Sequence, residues 1–382
     1  MSNLLLKDTT CEPQKCFASN NANTGTILHN QENKMEKTSK LKNRRAFLAG
    51  AAAAPVSIAV STSAAKAQEA FSWRFQTLWG SGSINMRIFE AFCDRVGVMS
   101  GGRLTIEPLP GGTVVGAMEL YDAVQNGILD GQNGGGGYVA QKDIAFIMLG
   151  DLAGAYERPD QMQAWYEYGG GKELARELYA SHGTYHVGLV WHGMESIPSR
   201  VPIRGTADLK GVKMRAPTGS VSEILARFGG APVSIPGSEV YTSLEQGVLD
   251  ATDWGTLSMN ADLGFAKVAK YSIYPGFHSM PATDIVVNQS RWDSLPEDLQ
   301  AILTVATRDF SRDMYQQLMI EDQKIAQDAD NLGIELVDWP AEERLKFRQT
   351  ASEVWSELAA ESEMAIKMVD SQTLFLKQLG LL

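Results

Sequence analysis

The sequence predicts an α/β fold of two similarly built lobes with a crevice between them, and three observations lead there. First, a ten-residue phrase occurs twice, 120 positions apart. One copy runs from Tyr121 to Gly127-Ile128-Leu129-Asp130, the other from Tyr241 to Gly247-Val248-Leu249-Asp250. In each, apolar residues three apart end a helix, a glycine stops it, and an apolar pair opens a strand. Second, each copy follows a strand-like run and a Gly-containing loop, the runs being 104–109 and 232–235. Strand, loop, helix, glycine, strand is one βαβ unit, and two such units leave a crevice suited to a small ligand. Third, the last quarter of the chain reads as helix throughout.

The elements follow in order. Residues 71–79 alternate and read as a strand ending at Gly80. A helix then runs to about Met99, closed by Gly101-Gly102, with Cys93 as a small buried core thiol. After the first unit comes the run Gly134 to Gly137. No Gly-Lys-Ser/Thr follows it, so it reads as a strand end or hinge where backbones approach closely, not as a phosphate loop. Residues 161–179 look helical, 185–191 look like a strand, and 208–215 like a turn and strand before the second unit. Ser294-Leu295-Pro296-Glu297 reads as a serine-capped helix start opening a long helix to about Asn331. Beyond Trp339-Pro340 a last helical stretch runs from Ala341 nearly to the end. Its Trp355, Leu358, Met364, Ile366, Met368 and Phe375 form an apolar surface that either covers the lobes or packs on a second copy in a homodimer. The expected organisation is a leader over 1–67, mainly lobe 1 over 68–190, mainly lobe 2 over 191–290, and a helical region over 291–382 packing on both.

Residues 38–67 read as an export signal. Arg44-Arg45 precedes Phe47-Leu48 and an alanine-rich apolar stretch over 49–60, and Ala65-Lys66-Ala67 suits cleavage before Gln68. A twin arginine followed by Phe-Leu is the form of a Tat signal, which sends folded proteins to the periplasm. The polar residues 1–34 sit oddly before such a signal, and Met35 is the expected start of translation. Neither the apolar stretch nor any later segment is long and apolar enough for a membrane span. The chain has 34 Lys and Arg against 45 Asp and Glu; the first 67 residues hold 9 and 4 of these, so 68–382 carries 25 and 41, a net charge of −16. That acidity argues against nucleic acid or anionic lipid as partner, and an anionic ligand would need a local positive group. Cys11 and Cys16 belong to the leader, so Cys93 alone remains and no internal disulfide forms.

Lys213-Met214-Arg215-Ala216-Pro217 places an arginine at the carboxyl end of a predicted strand, where side chains of open α/β sheets face the crevice. A guanidinium there either grips a carboxylate through two parallel hydrogen bonds or makes a structural ion pair. With this segment, Gly101-Gly-Arg-Leu104, Gly247-Val-Leu-Asp-Ala-Thr-Asp-Trp254 and Tyr274-Pro-Gly-Phe-His278 give the chain its resemblance to a family. Over essentially all of 68–382 it resembles the periplasmic solute-binding proteins of TRAP transporters, nearest to the branch that binds 2-oxo acids such as pyruvate. The resemblance implies a two-lobed Venus flytrap with a long lobe-spanning helix. It implies capture of a small organic acid, a 2-oxo or 2-hydroxy monocarboxylate, by lobe closure, and delivery to the small and large membrane permease subunits. Dicarboxylates, sugar acids and sulfonates are the alternative ligands. It also places Arg215 on the substrate carboxylate.

In that branch a sodium or calcium ion bridges ligand and protein. The implied ligands are a glutamate before a tryptophan, that tryptophan's carbonyl, and a glutamate after Gly-Phe-His. Here those positions hold Asp253, Trp254 and Ser279, and serine offers only a neutral oxygen. The branch's glutamine upstream of the arginine has no match in 191–200. Either Glu195 supplies a replacement, or the site has abandoned the cation.

Trp79, Tyr138, Trp191, Trp254 and Phe277 lie at predicted strand ends or loops, where aromatic rings either wall a pocket or fill core. His278 and Asn260 are candidates to hydrogen-bond a ligand oxygen, or to satisfy the backbone around them. The rival class is an exported, Tat-dependent enzyme. Residues 68–382 offer His182, His186, His192 and His278, with no HExxH, CxxC or Gly-x-Ser-x-Gly, so a carrier is expected instead.

Overall fold

Two open sheets organise the chain in a computed structural model, which describes residues 69–217, 219–235 and 239–382. The expected Tat signal, cleavage site and Met35 start lie outside the described residues. The first lobe begins β1 (Phe71–Thr77), α1 (Ile84–Met99), β2 (Leu104–Leu109), α2 (Leu120–Gln125), β3 (Gly131–Gly135). It continues through α3 (Ala145–Gly150), α4 (Pro159–Tyr168), α5 (Gly171–Ser181) and β4 (Thr184–Trp191). The second lobe runs β5 (Ile197–Ser199), β6 (Lys213–Arg215), α6 (Ser220–Arg227), β7 (Ala231–Val233), α7 (Val240–Glu245), β8 (Ala251–Thr252), α8 (Leu257–Asp262), β9 (Tyr271–Ile273). The remainder is β10 (Ala282–Asn288), α9 (Gln289–Ser294), α10 (Glu297–Gln327), α11 (Ala329–Leu332), β11 (Glu335–Val337), α12 (Ala341–Ala359) and α13 (Glu363–Gln378).

The repeated phrase is a structural repeat. β1 pairs in parallel with β2 and β3, and β6 pairs in parallel with β7 and β8. Gly127 and Gly247 both take positive φ, 72° and 75°, which lets the chain leave each helix for the next strand. The repeated aspartates do the same work. Asp130 Oδ2 accepts from the Arg74 backbone N–H at 2.8 Å, and Asp250 Oδ2 accepts from that of Lys213 at 2.9 Å.

The sheets do not follow the expected boundaries. The first sheet has the order β2-β1-β3-β10-β4 and the second β11-β9-β5-β8-β6-β7. β10, from the segment assigned mainly to lobe 2, lies antiparallel between β3 and β4, and β11, from the helical region, joins the edge of the second sheet. β10 is buried along its whole length, so its pattern marks a central strand but not which sheet it enters.

Three helices also differ from expectation. The stretch 161–179 is two helices, α4 and α5, divided at Gly169-Gly170, where Gly170 has φ 91°. Ser294 closes α9, its hydroxyl donating to the Arg291 carbonyl at 2.7 Å, and Pro296 is the N-cap of α10. The proline forces its predecessor into extended geometry, which ends one helix just before the next begins. The last helical stretch divides into α12 and α13, with Ser362 capping the second.

α10 is 31 residues long and ties the lobes together. Its Leu299, Leu303, Ala306 and Phe310 are buried against the first lobe, with the Phe310 ring stacked on Phe92 at 4.9 Å. Near its other end, Asp322 accepts from the Ser258 backbone N–H at 2.7 Å in the second lobe. In α12 and α13, Trp355 and Met368 are fully buried, and Trp355 Nε1 donates to the Ala153 carbonyl of the first lobe at 2.9 Å. Cys93 is buried in α1. No described helix is long and apolar enough to cross a membrane.

Beneath β10 lies a buried polar group. Tyr179 donates its hydroxyl to Asp284, and Gln132 Nε2 approaches the same carboxylate at 3.4 Å. Burial pushes Asp284 up to about 6, opposed by Tyr179, Gln132 and the Gly134 N–H. The folded chain therefore keeps a proton that the unfolded chain sheds near 3.8. Asp284 favours the fold at low pH, and that contribution is lost as pH rises through about 6. Asp284→Asn should gain stability relative to the unmodified protein between about pH 4.5 and 7.5, read as a difference in Tm. A difference that shrinks over that interval would contradict the assignment.

Candidate functional site

The carboxyl ends of β6 and β8 present the central residues. Arg215 is the last residue of β6, as the sequence predicts, and Asp253 and Trp254 follow β8 directly. Arg215 Nη1 donates to the Asp253 carbonyl at 2.6 Å, and the guanidinium lies over the Trp254 ring at 4.9 Å. A planar cation fixed on one side by a carbonyl and below by an aromatic face has few orientations left. Its Nε has no partner among the described residues. It is a buried donor left unsatisfied.

Two crossings between the sheets bring acids to the same place. Glu195 lies between β4 and β5, and His278 and Ser279 lie between β9 and β10. The crossings touch: the Glu195 N–H donates to the Ser279 carbonyl at 3.1 Å, and a Cβ on Gly276 would fall 1.8 Å from the Glu195 carbonyl oxygen. Only glycine permits that approach. Glu195, Asp253 and His278 are buried, and each brings a donor atom to within 4.8 Å of the others. His278 Nε2 lies 3.0 Å from Asp253 Oδ1, while its Nδ1 has no partner among the described residues.

The two carboxyls respond in opposite senses. Burial drives Glu195 well above the ordinary range, reinforced by the charge of Asp253 and a hydrogen bond to it. Burial would raise Asp253 too, but His278, the hydrogen bond from Glu195 and the Arg215 charge together bring it down to about 2. Glu195 therefore holds a proton directed at an ionised Asp253. Asp151, just after α3, accepts from Ser279 Oγ at 2.6 Å and from the Met280 N–H at 3.1 Å. Burial pushes Asp151 up to about 6.

Of the metal ligands implied by the resemblance, Asp253 converges with Glu195 and His278, while the Ser279 hydroxyl is turned to Asp151. The converging set is two carboxyls and an imidazole, whereas sodium and calcium favour shells of oxygen. The residues present fit a hard bridging cation poorly.

The other sequence candidates separate into two groups. Tyr138 ends the 3-10 turn Gly136–Tyr138 that follows β3 in the first lobe. Gly136 lets this turn lie against α3, since a Cβ there would come 2.2 Å from the Phe146 carbonyl oxygen. Tyr138 is 41% exposed, yet burial raises its hydroxyl, with the Arg215 charge opposing and Glu195 adding. Trp79 follows β1, donates from Nε1 to Asn133 Oδ1 at 3.2 Å, and meets the His192 ring edge-on at 5.4 Å. The second group is structural. Phe277 is buried against Trp339 at 4.6 Å and Phe347 at 5.3 Å, in the core under α12. The Trp191 ring turns to Tyr166. Asn260, on α8, donates to Ser196 Oγ at 2.9 Å and to the Gly255 carbonyl at 2.8 Å, clamping the first crossing to the chain after β8.

Sequence reasoning did not single out Asp151 or Asn133, which the structure places against Ser279 and Trp79. Nothing marks Asp151, which simply ends an apolar run. Asn133 did carry a signal, because it stands three residues after Asp130 as Asp253 stands three after Asp250.

Comparison with known proteins agrees with this architecture. The model of bacterial extracellular solute-binding protein, family 7, matches residues 75–362. A TRAP periplasmic solute-binding protein from Rhodobacter sphaeroides, solved in an apo open form, is 40% identical with a TM-score of 0.72, covering 81% of this chain and 99% of that one. One from Pseudoalteromonas atlantica T6c, solved with sodium and pyruvate, is 30% identical with a TM-score of 0.70, covering 81% and 95%. A monocarboxylate 2-oxoacid-binding periplasmic protein of Nostoc sp. PCC 7120 is 30% identical over 62% of this chain, which spans 65% of that relative's length. By its fold, its motifs and a match over three quarters of its length, the chain belongs to family 7 of the bacterial extracellular solute-binding proteins.

Proposed function

We propose that the protein is the periplasmic receptor of a TRAP transporter, capturing a small organic acid between its lobes and presenting it to the small and large membrane permease subunits. The observation that carries this reading is Arg215: a guanidinium oriented by the Asp253 carbonyl and the Trp254 ring, with Nε unpartnered. It is the local positive group that a strongly acidic chain needs to hold an anion. A carboxylate received there is desolvated and bound through charge-assisted hydrogen bonds. The relatives named above support a monocarboxylate bearing an oxygen at C2. Tyr138 belongs to the first lobe and feels the charges of Arg215 and Glu195 in the second, so its hydroxyl completes the site when the lobes close.

Calorimetric titration with 2-oxo and 2-hydroxy monocarboxylates tests the assignment. Arg215→Ala should weaken binding by about 100-fold or more, equivalent to about 2.7 kcal/mol, with the melting temperature nearly unchanged. Unchanged affinity would reject Arg215 as the anchor. Tyr138→Phe should raise the dissociation rate by about 2- to 10-fold, the effect of one hydrogen bond, while the association rate changes less. Stopped-flow fluorescence measures both, and an equal change in the two rates would remove Tyr138 from the closed site.

A further inference from the structure

We infer that Ile147 of the first lobe and Gly219 of the second are the pair on which the crevice closes, positioning the lobes around the acid without touching it. The inference rests on the reading of the protein as a receptor that shuts around an acid held by Arg215. Both residues follow the carboxyl ends of parallel strands, the side on which the crevice of such sheets lies. Gly219 is the N-cap of α6, four residues beyond Arg215 at the end of β6. Ile147 is on α3, whose Phe146 carbonyl backs the turn after β3 at Gly136. Tyr138 on that turn feels the Arg215 charge, so this face of the first lobe looks toward the end of β6.

The two lobes touch here through one side chain and one bare backbone. A Cβ on Gly219 would fall 3.1 Å from Ile147 Cδ1, and among the described residues nothing else beyond its chain neighbours lies within 4 Å of that point. Gly219 holds φ 125° and ψ −146°, a conformation that glycine alone enters readily. Ala145, Phe146, Met148 and Leu149 join the core that holds Trp355 and Met368, and helical spacing puts Ile147 on the opposite face of α3. α3 is also fastened in place. Gln372 Nε2 of α13 donates to the Met148 carbonyl at 2.7 Å, and Asp151, just after α3, accepts from Ser279 and Met280. A fixed helix thus sets an isoleucine against a glycine on the other lobe. Apparent affinity scales with the fraction of receptor able to close, so filling the space between them weakens binding while every ligand contact stays intact.

The test is calorimetric titration of pyruvate, 2-oxobutyrate, lactate and 2-hydroxybutyrate into the purified protein and three variants, with Tm measured without ligand. Ile147→Phe leaves the glycine and its backbone untouched. It should weaken every acid that the unmodified protein binds by the same factor, about tenfold, with Tm nearly unchanged. X-ray scattering at saturating acid should show it more extended than the unmodified protein. Gly219→Ala should weaken binding as well, and adding Ile147→Ala should return affinity to within about threefold of the starting value, because the shortened side chain makes room for the new methyl. A Gly219→Ala defect that Ile147→Ala leaves unrelieved is backbone strain alone and overturns the pairing. Full affinity in Ile147→Phe, or a large fall in its Tm, overturns it too, the second because it would make Ile147 a core residue. Unequal losses among the acids would mean that Ile147 touches the ligand, which also overturns it. In each of these cases acid binding by the unmodified protein, lost in Arg215→Ala, leaves the receptor reading standing. Binding of none of the four acids overturns both.

Discussion

The hydrogen bond from Arg215 Nη1 to the Asp253 carbonyl is the interaction on which the site depends. It joins the ends of two neighbouring parallel strands, so sheet geometry itself aims the guanidinium. The Asp253 N–H returns a bond to the Arg215 carbonyl at 2.8 Å, completing a reciprocal pair at the strand ends. A flexible cationic side chain is thereby held in one orientation. The Trp254 ring beneath it adds a face that favours the cation without consuming a donor.

Around that cation the protein concentrates negative groups. Asp151, Glu195 and Asp253 crowd one imidazole and one guanidinium, in a chain that is already acidic overall. Such a cluster survives burial because its hydrogen bonds are reciprocal and because the carboxyls do not all ionise. Asp253 takes the charge, and Glu195 keeps its proton. The arrangement separates two neighbouring acids into a donor and an acceptor.

Much of this was legible in the sequence. Gly127 and Gly247, with Asp130 and Asp250, announced two matching βαβ units because helix exit and strand entry demand those residue types locally. Arg215 was legible because a strand end followed by proline fixes its position relative to the crevice. What was not legible depends on tertiary choice. β10 is buried on both faces and belongs in a sheet centre, but nothing in it names the sheet. Phe277 looked like a pocket wall by its place in the motif, and only the arrival of Trp339 and Phe347 from far along the chain makes it core. Asp151 meets Ser279 across 128 positions, a pairing that no local pattern encodes.

Two of the three passages of chain that link the sheets carry Glu195, His278 and Ser279. Any bending between the halves must therefore rotate those side chains, since they ride on the joints themselves. Closing and recognising are then one mechanical coordinate. Anything held against those side chains would resist the swing, and the angle of the halves would report, indirectly, what lies between them.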